Sequence, residues 1–281
     1  MKVFTTIHDM QTEMIKLKKY GKTIGFVPTM GYLHDGHMSL LKKARQENDL
    51  VVLSIFVNPL QFGPTEDFSA YPRNLDRDKE IALNERVDYL FCPSSVEMYP
   101  RQPSVKVVVQ ERIDVMCGKS RPGHFDGVAT VLTKLFHIVK PNRVYFGLKD
   151  AQQVAVVDWL IKDFHFPIEL IPCETVREED GLAKSSRNTN LLEQERGEAR
   201  HLYKSLLSAK EMIDDGERDR ETVIQFITNY LLNNTSGSID YVEIYSYPEL
   251  KEMTMLTGTF IIALAVKFSH ARLIDNIIIT I

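Results

Sequence analysis

The chain has 281 residues and a mass of 32.3 kDa, with 44% hydrophobic and 26% charged residues, so it is long enough for roughly two globular domains and is not of low complexity. Its 34 Lys and Arg against 38 Asp and Glu give a net charge of −4, which argues against nucleic acid as a partner. There is no C-x-x-C pair, no apolar run long enough for a membrane helix and no apolar signal core at the start, so we expect a cytoplasmic protein without a membrane partner.

The first two thirds of the chain alternate short apolar runs, rich in β-branched and aromatic residues, with stretches of helical periodicity. The predicted strands are 23–27, 50–57, 89–92 and 144–146, and the predicted helices are 38–47, 75–85 and 151–164. Strands and helices that alternate in this way are typical of a parallel sheet covered by helices. The pattern predicts an α/β fold, with a Rossmann-like, doubly wound domain over residues 1–184.

The pattern of apolar and charged residues changes near Leu191, where two charged helical stretches precede the last strand candidates. These strand candidates are 239–245, 260–266 and 277–281. The order predicts a smaller C-terminal α+β domain over residues 185–281. Because no long linker separates the two predicted domains, we expect them to share a cleft, and residues at the carboxyl ends of the parallel strands become the candidate ligand-binding residues.

A glycine-containing turn, P-T-M-G-Y-L-H-D-G-H at 28–37, connects the first of these strands to the helix near Met38. A strand, a glycine turn and a helix start together favour phosphate binding, because the backbone can approach the anion and N–H groups point at it. His34 and His37 could each donate a hydrogen bond to a phosphate oxygen and oppose the charge on a reacting phosphorus. They could equally be solvated loop residues. A zinc site is a weaker alternative, because no cysteine or third histidine is near in sequence.

Amide side chains follow the second strand, in N-P-L-Q-F-G at 58–63. At the carboxyl edge of the sheet, Asn58 and Gln61 suit a small polar substrate. An Asn-Pro turn also explains Asn58 without any function. Gln61 is harder to explain as a turn former, because it lies between two apolar residues.

The strand at 144–146 ends in G-L-K-D, and a helix with two glutamines follows. Lys149 could reach a phosphate as a point charge, and Gln153 would lie on the same rim as Gln61. Asp150 could instead be the helix N-cap.

Near the predicted domain boundary stands D-G-L-A-K-S-S-R-N, at 180–188. Two hydroxyls bracketed by Lys184 and Arg187 in a mobile loop could close over a triphosphate and stabilise the leaving pyrophosphate. The alternative is an interdomain linker with a helix cap. Farther upstream, Asp76 and Asp78 could help hold a hydrated magnesium ion, although such acids more often cap or solvate a helix start.

The segments occur in a fixed order along the chain. They are P-T-M-G-x-L-H-D-G-H, F-V-N-P-x-Q-F, Y-P-R, R-P-G-H-F, G-x-K-D-x-Q-Q, D-G-L-A-x-S-S-R-N and A-R-L-I-D-N. The strand with H-x-x-H and the later K-S-S-R loop resemble the nucleotidyl-transfer superfamily with HIGH-like motifs. The complete set is similar to the pantothenate synthetase family over essentially the whole chain.

This resemblance implies an ATP- and Mg²⁺-dependent ligase that condenses (R)-pantoate with β-alanine through a pantoyl adenylate, as a homodimer. It implies catalytic roles for His34, His37 and Lys149, pantoate binding by Gln61 and Gln153, and a metal contact at Asp78. The ATP-binding residues that it implies are Met30, Gly31, Tyr32, Leu33, His34, Asp35, Gly36, His37, Gly147, Leu148, Lys149, Asp150, Val176, Lys184, Ser185, Ser186 and Arg187. Leu148 and Lys184 depart from the family's usual pattern. We expect Leu148 to affect only the local behaviour of its loop, because its side chain need not contact a ligand, and we expect ATP binding to tolerate Lys184. The alternatives are another small adenylyltransferase and a nucleotide-binding protein without turnover.

Overall fold

The computed structural model describes residues 1–64, 66 and 68–281. These residues form two compact units. The first consists of residues 1–110, 121–148 and 156–174, and the second of residues 111–120, 149–155 and 175–281. The chain therefore passes between the units several times, and its last passage, at 174/175, precedes the predicted boundary at 184/185. That boundary stays a prediction.

The first unit is built on a six-stranded parallel sheet. Its strands are β1 (Lys2–Phe4), β2 (Ile24–Thr29), β3 (Leu50–Ile55), β4 (Tyr89–Phe91), β5 (Arg143–Gly147) and β6 (Glu169–Cys173). They lie in the order β1-β4-β3-β2-β5-β6, and every pair is parallel. Because β2 pairs with both β3 and β5, the strand order reverses there, which confirms the predicted doubly wound fold and places the topological switch point at the end of β2.

Helices, several of which begin after a capping side chain, connect the strands. They are α1 (Ile7–Lys19), α2 (Asp35–Glu47), α3 (Leu75–Asn84), α4 (Ser95–Met98), α5 (Met116–Ser120), α6 (His124–Val139), α7 (Ala151–Asp163), α8 (Glu193–Asp214) and α9 (Arg220–Asn234). Thr6, Asn74 and Asp219 each accept a backbone N–H of the first turn with a side-chain oxygen. In the part of the chain that the structure describes, no helix combines the length and the apolar character that crossing a bilayer requires.

The core of the first unit holds β2 at the centre of the sheet. Val27, Leu53 and Leu90 are completely buried, and they pack with Leu41 of α2. Tyr145 is buried as well, and its hydroxyl donates to Glu47 and accepts from Asn48. The central strands are thus held both by close apolar packing and by buried hydrogen bonds of the Tyr145 hydroxyl. Both kinds of contact fix the ends of the strands, where the site lies.

The second unit contains an antiparallel sheet of β7 (Ser238–Ser246), β8 (Thr259–Lys267) and β9 (Arg272–Thr280). Phe260, Ile262 and Leu264 of β8 pack against α8 and α9 in one cluster. Ile261 and Ala263 belong to a second cluster, with Met116 and the start of α7. Successive side chains of a strand point to opposite faces, so this alternation covers both faces of the sheet. The predicted α+β character, with helices preceding strands, is confirmed.

The predicted elements differ from the observed ones mainly at their ends. Helix α2 begins at Asp35 rather than at Met38, because His34 caps it. Strand β9 begins at Arg272, five residues before its predicted start at Ile277, because polar Asp275 and Asn276 interrupt the apolar pattern. The predictions did not include β1, β6, α1, α4, α5 and α6. The two strands are short edges of the sheet and have too few buried residues for a periodic signal.

Candidate active site

The turn between β2 and α2 depends on two consecutive residues in the left-handed region. Gly31 has φ +87° and Tyr32 has φ +52°. A Cβ atom on residue 31 would lie 2.8 Å from Ile55 Cγ2 and 3.1 Å from Asp78 Oδ2. Glycine is therefore required here both by the backbone conformation and by the space beside it.

Asp78, in the first turn of α3, holds this turn in place. The N–H groups of Tyr32 and Leu33 each donate to one carboxylate oxygen of Asp78, both at 2.8 Å. The carboxylate is 1% exposed, and Arg77 Nη1 lies 3.6 Å from Oδ1. Two charge-assisted hydrogen bonds and a nearby guanidinium make Asp78 an anchor for the glycine turn. The predicted metal contact of Asp78 stays a prediction, and the observed bonds give this residue a different role.

The two histidines of the turn have defined ring orientations at the N-terminus of α2. His34 Nδ1 accepts the Gly36 N–H at 3.2 Å, and His37 Nδ1 accepts the His34 N–H at 3.3 Å. The ring centroids are 4.1 Å apart. Because each Nδ1 accepts a hydrogen bond, each neutral ring carries its proton on Nε2. The arrangement therefore provides two Nε2–H donors where the helix N-terminus already favours an anion.

Gln61 lies beside this turn, as predicted from its place after β3. Its Nε2 is 3.1 Å from Met30 Sδ, and its Oε1 accepts from Asn58 Nδ2 at 3.2 Å. Asn58 is 1% exposed, donates also to the Gly127 carbonyl and accepts from the Tyr99 hydroxyl. Asn58 thus orients Gln61, and its position in a turn does not account for all of its contacts.

The R-P-G-H-F segment, at the start of α6, packs on the 3₁₀ turn Pro59–Gln61 that carries Gln61. His124 Nδ1 donates to the Gln61 carbonyl at 2.8 Å, and Arg121 Nη2 donates to it at 3.4 Å. A Cβ atom on Gly127 would lie 2.3 Å from the Leu60 carbonyl oxygen. From the sequence alone, this segment is only one of the ordered motifs and has no assigned contact. The available signal was Gly127, two residues after the segment, which permits α6 to approach the backbone at Leu60 closely.

A cavity of about 270 Å³ adjoins the glycine turn in the first unit. It is lined by the turn, the ends of β3 and β4 and the segment before α3, that is by Met30, Gly31, Tyr32, Ile55, Phe56, Val57, Phe68, Arg73, Asn74, Leu75, Asp78, Cys92, Pro93, Ser94 and Ser95. The cavity lies at the carboxyl edge of the parallel sheet, where open α/β folds bind their ligands.

The G-L-K-D segment ends β5 at Gly147 and forms a short 3₁₀ helix, Leu148–Asp150. Since β5 is parallel to β2, Gly147 stands at the sheet edge that also carries the glycine turn. Lys149 and Asp150 belong to the second unit, where Asp150 is exposed and Lys149 is partly buried.

The two glutamines of G-L-K-D-A-Q-Q have different surroundings. Gln152 is buried, donates to the carbonyls of Arg112 and Val115, and accepts the Gly118 N–H. It anchors the segment 111–120, a role that sequence analysis missed. Gln153, the predicted pantoate ligand, is partly exposed.

The D-G-L-A-K-S-S-R segment is ordered by its own backbone. The Lys184 N–H donates to the Val176 carbonyl at 2.9 Å, and Lys184 Nζ lies 2.6 Å from Glu178 Oε2. Ser185 then caps a 3₁₀ helix, Ser186–Asn190, by accepting the Arg187 N–H at 3.3 Å. Ser186 is buried at 7% exposure. The segment is therefore a closed hairpin followed by a helical turn, and Lys184 has an acidic partner within it.

The acidic and thiol groups do not form a resident metal site in the residues that the structure describes. No group of three or more His, Cys, Asp or Glu side chains is placed to hold an ion there. Both oxygens of Asp78 already accept backbone N–H groups. The donor set therefore does not fit a metal held by the protein alone.

Known proteins resemble this chain over its whole length. The family described as pantoate-beta-alanine ligase matches residues 2–278. A pantothenate synthetase of Geobacillus sp. (strain WCH70) is 65% identical, with 99% of this chain and 98% of that protein covered. A pantothenate synthetase of Bacillus cytotoxicus is 57% identical and covered completely, as is this chain.

Solved structures agree with these sequence comparisons. The pantothenate synthetase of Thermus thermophilus has a TM-score of 0.93 at 41% identity, with 99% of each chain covered. The pantoate-beta-alanine ligase of Francisella tularensis, complexed with beta-gamma ATP and beta-alanine, has a TM-score of 0.81 at 37% identity, with 99% of this chain and 97% of that chain covered. The site geometry and these similarities together show that the chain belongs to the pantoate–β-alanine ligase family.

Proposed function

We propose that this ligase, which condenses pantoate with β-alanine, works in two steps and that the glycine turn serves the first step. The observation that carries the proposal is the pair of oriented imidazoles at the N-terminus of α2, in a chain whose family match spans residues 2–278. Two Nε2–H donors at a helix N-terminus suit the phosphates of a nucleotide.

In the first step, a carboxylate oxygen of (R)-pantoate attacks the α-phosphorus of ATP. A P–O bond forms, the bond between the α-phosphorus and the bridging oxygen breaks, and pyrophosphate leaves with that electron pair. The product is pantoyl adenylate, a mixed anhydride. No protein nucleophile takes part, so the contribution of the chain is alignment and charge stabilisation, and alignment alone can supply about 7 kcal/mol or more of the barrier.

In the second step, the amine of β-alanine attacks the activated carbonyl carbon of pantoyl adenylate. A C–N bond forms, the C–O bond to the phosphate breaks, and AMP leaves. The amine must arrive neutral, and the proton that it loses as the amide forms is released to solvent. Pantothenate and AMP are the products.

The residue assignments combine the contacts within each unit with the motifs that this chain shares with the family. His34 and His37 donate from Nε2 to phosphate oxygens, and Lys149 supplies a positive charge. Gln61, which Asn58 orients, binds pantoate, and Gln153 is assigned the same ligand. We assign ATP binding also to Met30, Gly31, Tyr32, Leu33, Asp35, Gly36, Gly147, Leu148, Asp150, Val176, Lys184, Ser185, Ser186 and Arg187. Magnesium is proposed as the divalent ion that enters with ATP.

Isotope exchange between labelled pyrophosphate and ATP tests the first step. We expect exchange that requires pantoate and proceeds without β-alanine, because adenylate formation is reversible and precedes attack by the amine. The pantoate-free reaction is the control. Exchange no faster than in that control would contradict an acyl-adenylate route, and tight ATP binding without any product would favour a nucleotide-binding protein without turnover.

We propose that the enzyme is a homodimer. An extended segment of the first unit exposes Val105 at 84% and Val108 at 56%. The segment is held in place by bonds from the Val107 N–H to Thr130 Oγ1 and from the Val109 N–H to Asp126 Oδ1. An ordered segment with exposed apolar side chains suits a second copy of the chain. Sedimentation equilibrium tests this: a dimer is expected, and a monomer after the double substitution Val105→Lys and Val108→Lys.

We propose that the enzyme acts in the cytoplasm. Cys92, Cys117 and Cys173 are free thiols, which fits a reducing compartment. Cell fractionation with immunodetection is the test, and recovery in a secreted fraction would contradict it.

A further inference from the structure

Two consecutive side chains of β9, Asp275 and Asn276, are buried and polar, at 2% and 8% exposure. They belong to the A-R-L-I-D-N motif, and none of the roles in the proposed mechanism is assigned to a residue of this motif. Consecutive residues of a strand point to opposite faces of its sheet. The two side chains therefore reach different segments of the second unit.

Asp275 binds Arg177 on the face that α8 covers. Its Oδ2 accepts from Arg177 Nη1 at 2.7 Å and its Oδ1 accepts from Arg177 Nη2 at 2.9 Å, which is a bidentate pair. The guanidinium carbon lies 3.4 Å from the ring centroid of Tyr203 in α8. Arg177 Nη1 also donates to the Gly181 carbonyl at 3.0 Å. Asp275 thus closes, through Arg177, the hairpin that precedes Ser185.

Asn276 binds the other nucleotide segment. Its Nδ2 donates to the carbonyl of Lys149 at 2.9 Å. The backbone of Lys149 is thereby fixed at the point where the 3₁₀ helix passes into α7. The Asn276 N–H also donates to Asp275 Oδ1 at 2.8 Å, so the two residues support each other.

We infer that Asp275 and Asn276 are positioning residues for ATP, one holding the hairpin before Ser185–Arg187 and the other holding Lys149. The inference rests on the proposed function, in which these two segments bind the nucleotide. One strand then sets the backbone of both segments, through a single hydrogen bond on one face and a bidentate ion pair on the other. A loss of either contact changes where the phosphate-binding groups stand without removing any of them.

The test compares Asn276→Ala with Asn276→Asp, which keeps the shape of the side chain but, when ionised, has no donor for a carbonyl. Both variants should raise the KM for ATP by about tenfold, the upper range for one lost hydrogen bond, and leave the KM for pantoate within twofold. Asn229→Ala, at an exposed asparagine of α9, is the matched control and should change neither constant. An ATP KM within twofold of the parent for both Asn276 variants would overturn the inference.

A double-mutant cycle separates positioning from general damage. In a Lys149→Ala background the backbone carbonyl of residue 149 is still present, so Asn276→Ala removes the same hydrogen bond there as in the parent chain. If Asn276 acts through the Lys149 ammonium, it should raise the ATP KM of that background less than twofold. A full tenfold effect there would refute positioning through Lys149.

The ion pair between Asp275 and Arg177 is tested by separate substitutions of Asp275. Asp275→Asn keeps the shape but loses the charge, and Asp275→Glu keeps the charge and should recover part of the ATP affinity. Direct calorimetric binding of a β,γ-non-hydrolysable ATP analogue provides a readout that needs no turnover. Unchanged analogue affinity in Asp275→Asn would overturn the inference for this residue. Absence of pantoate-dependent exchange in the parent, with the analogue still bound, would instead overturn the proposed function.

Discussion

Asp78 offers a direct test of whether the glycine turn is held by a carboxylate or whether that carboxylate serves a metal. We consider Asp78→Asn, which keeps the volume of the side chain. The amide retains one acceptor oxygen for one of the two N–H groups and presents an NH₂ group to the other. One buried charge-assisted bond is lost and one N–H donor is left without an acceptor, since Leu33 is completely buried.

The expected cost follows from these two effects. A hydrogen bond to a charged group contributes about 1.5–3 kcal/mol, and an unsatisfied buried donor costs about 1–3 kcal/mol, with partial overlap between the two. We expect the free energy of unfolding to fall by about 3 kcal/mol. Because Gly31 and Tyr32 both adopt left-handed backbone angles, the turn should also lose its single conformation, and the adenylation rate should fall at least about tenfold.

The assay combines urea unfolding, followed by circular dichroism, with pantoate-dependent exchange at several magnesium concentrations. Asp76→Asn is the matched control: the Asp76 side chain, two positions earlier in α3, is 94% exposed and should change the unfolding free energy by no more than about 0.5 kcal/mol. A metal ligand would behave differently, with unchanged stability and a raised magnesium requirement. An unfolding free energy of Asp78→Asn within about 0.5 kcal/mol of the parent would refute the anchoring argument.

Three further predictions concern the same region. His37→Ala should lower the adenylation rate by about 10²-fold or more, as loss of one transition-state donor commonly does, and a rate within twofold of the parent in single-turnover assays would remove His37 from the mechanism. Gly127→Ala should raise the KM for pantoate and lower the urea midpoint, because its Cβ would lie 2.3 Å from the Leu60 carbonyl oxygen. The control Gly197→Ala has open space around its Cβ and should not lower the urea midpoint. Equal effects of the two substitutions would contradict the close approach of α6 to Leu60. Burial raises the pKa of the Cys92 thiol to about 11, whereas the thiol of the unfolded chain titrates near 8.5. The folded chain therefore holds this proton more tightly than the unfolded chain does. The stability that the neutral thiol contributes should be present below about pH 8.5 and should decline as the pH rises towards 11. Iodoacetamide should therefore alkylate Cys92 slowly at pH 8 and faster above pH 10, measured by peptide mass spectrometry, and a rate at pH 8 equal to that of the urea-unfolded chain would disprove it.

Much of the fold is readable from local patterns. The apolar runs at β2, β3 and β5 are long enough to stand out, because central parallel strands are buried on both faces. The edge strands β1 and β6 are half exposed, so the same argument misses them. Helix α6 is also absent from the predictions, although eleven of its 16 residues are buried and its apolar residues repeat with helical periodicity, so a local signal was present there.

The candidate site also contains residues that the sequence reveals and residues whose roles it does not. Residue types with evident chemistry at strand ends, such as His34, His37 and Gln61, were found from the sequence, and the structure places these three around one turn of the first unit. The residues that orient them were not found, or were read differently. The sequence leaves Asn58 open between a substrate-binding amide and a turn residue, and Asp78 between a metal contact and an acid at a helix start, since each observed contact depends on a partner far away in the chain.

By itself, the sequence determined the types of most of the longer elements, the α/β class, and the motif set that identifies the family, because these depend on short-range periodicity and on residue identity. Only the tertiary structure decided which oxygen accepts which N–H: Asp78 on the glycine turn, Gln152 on the segment 111–120, and Asn276 on Lys149. The physical reason is that a buried polar group must find its partner in space. For Asn276 that partner lies 127 positions away in the chain, a separation that no local pattern encodes.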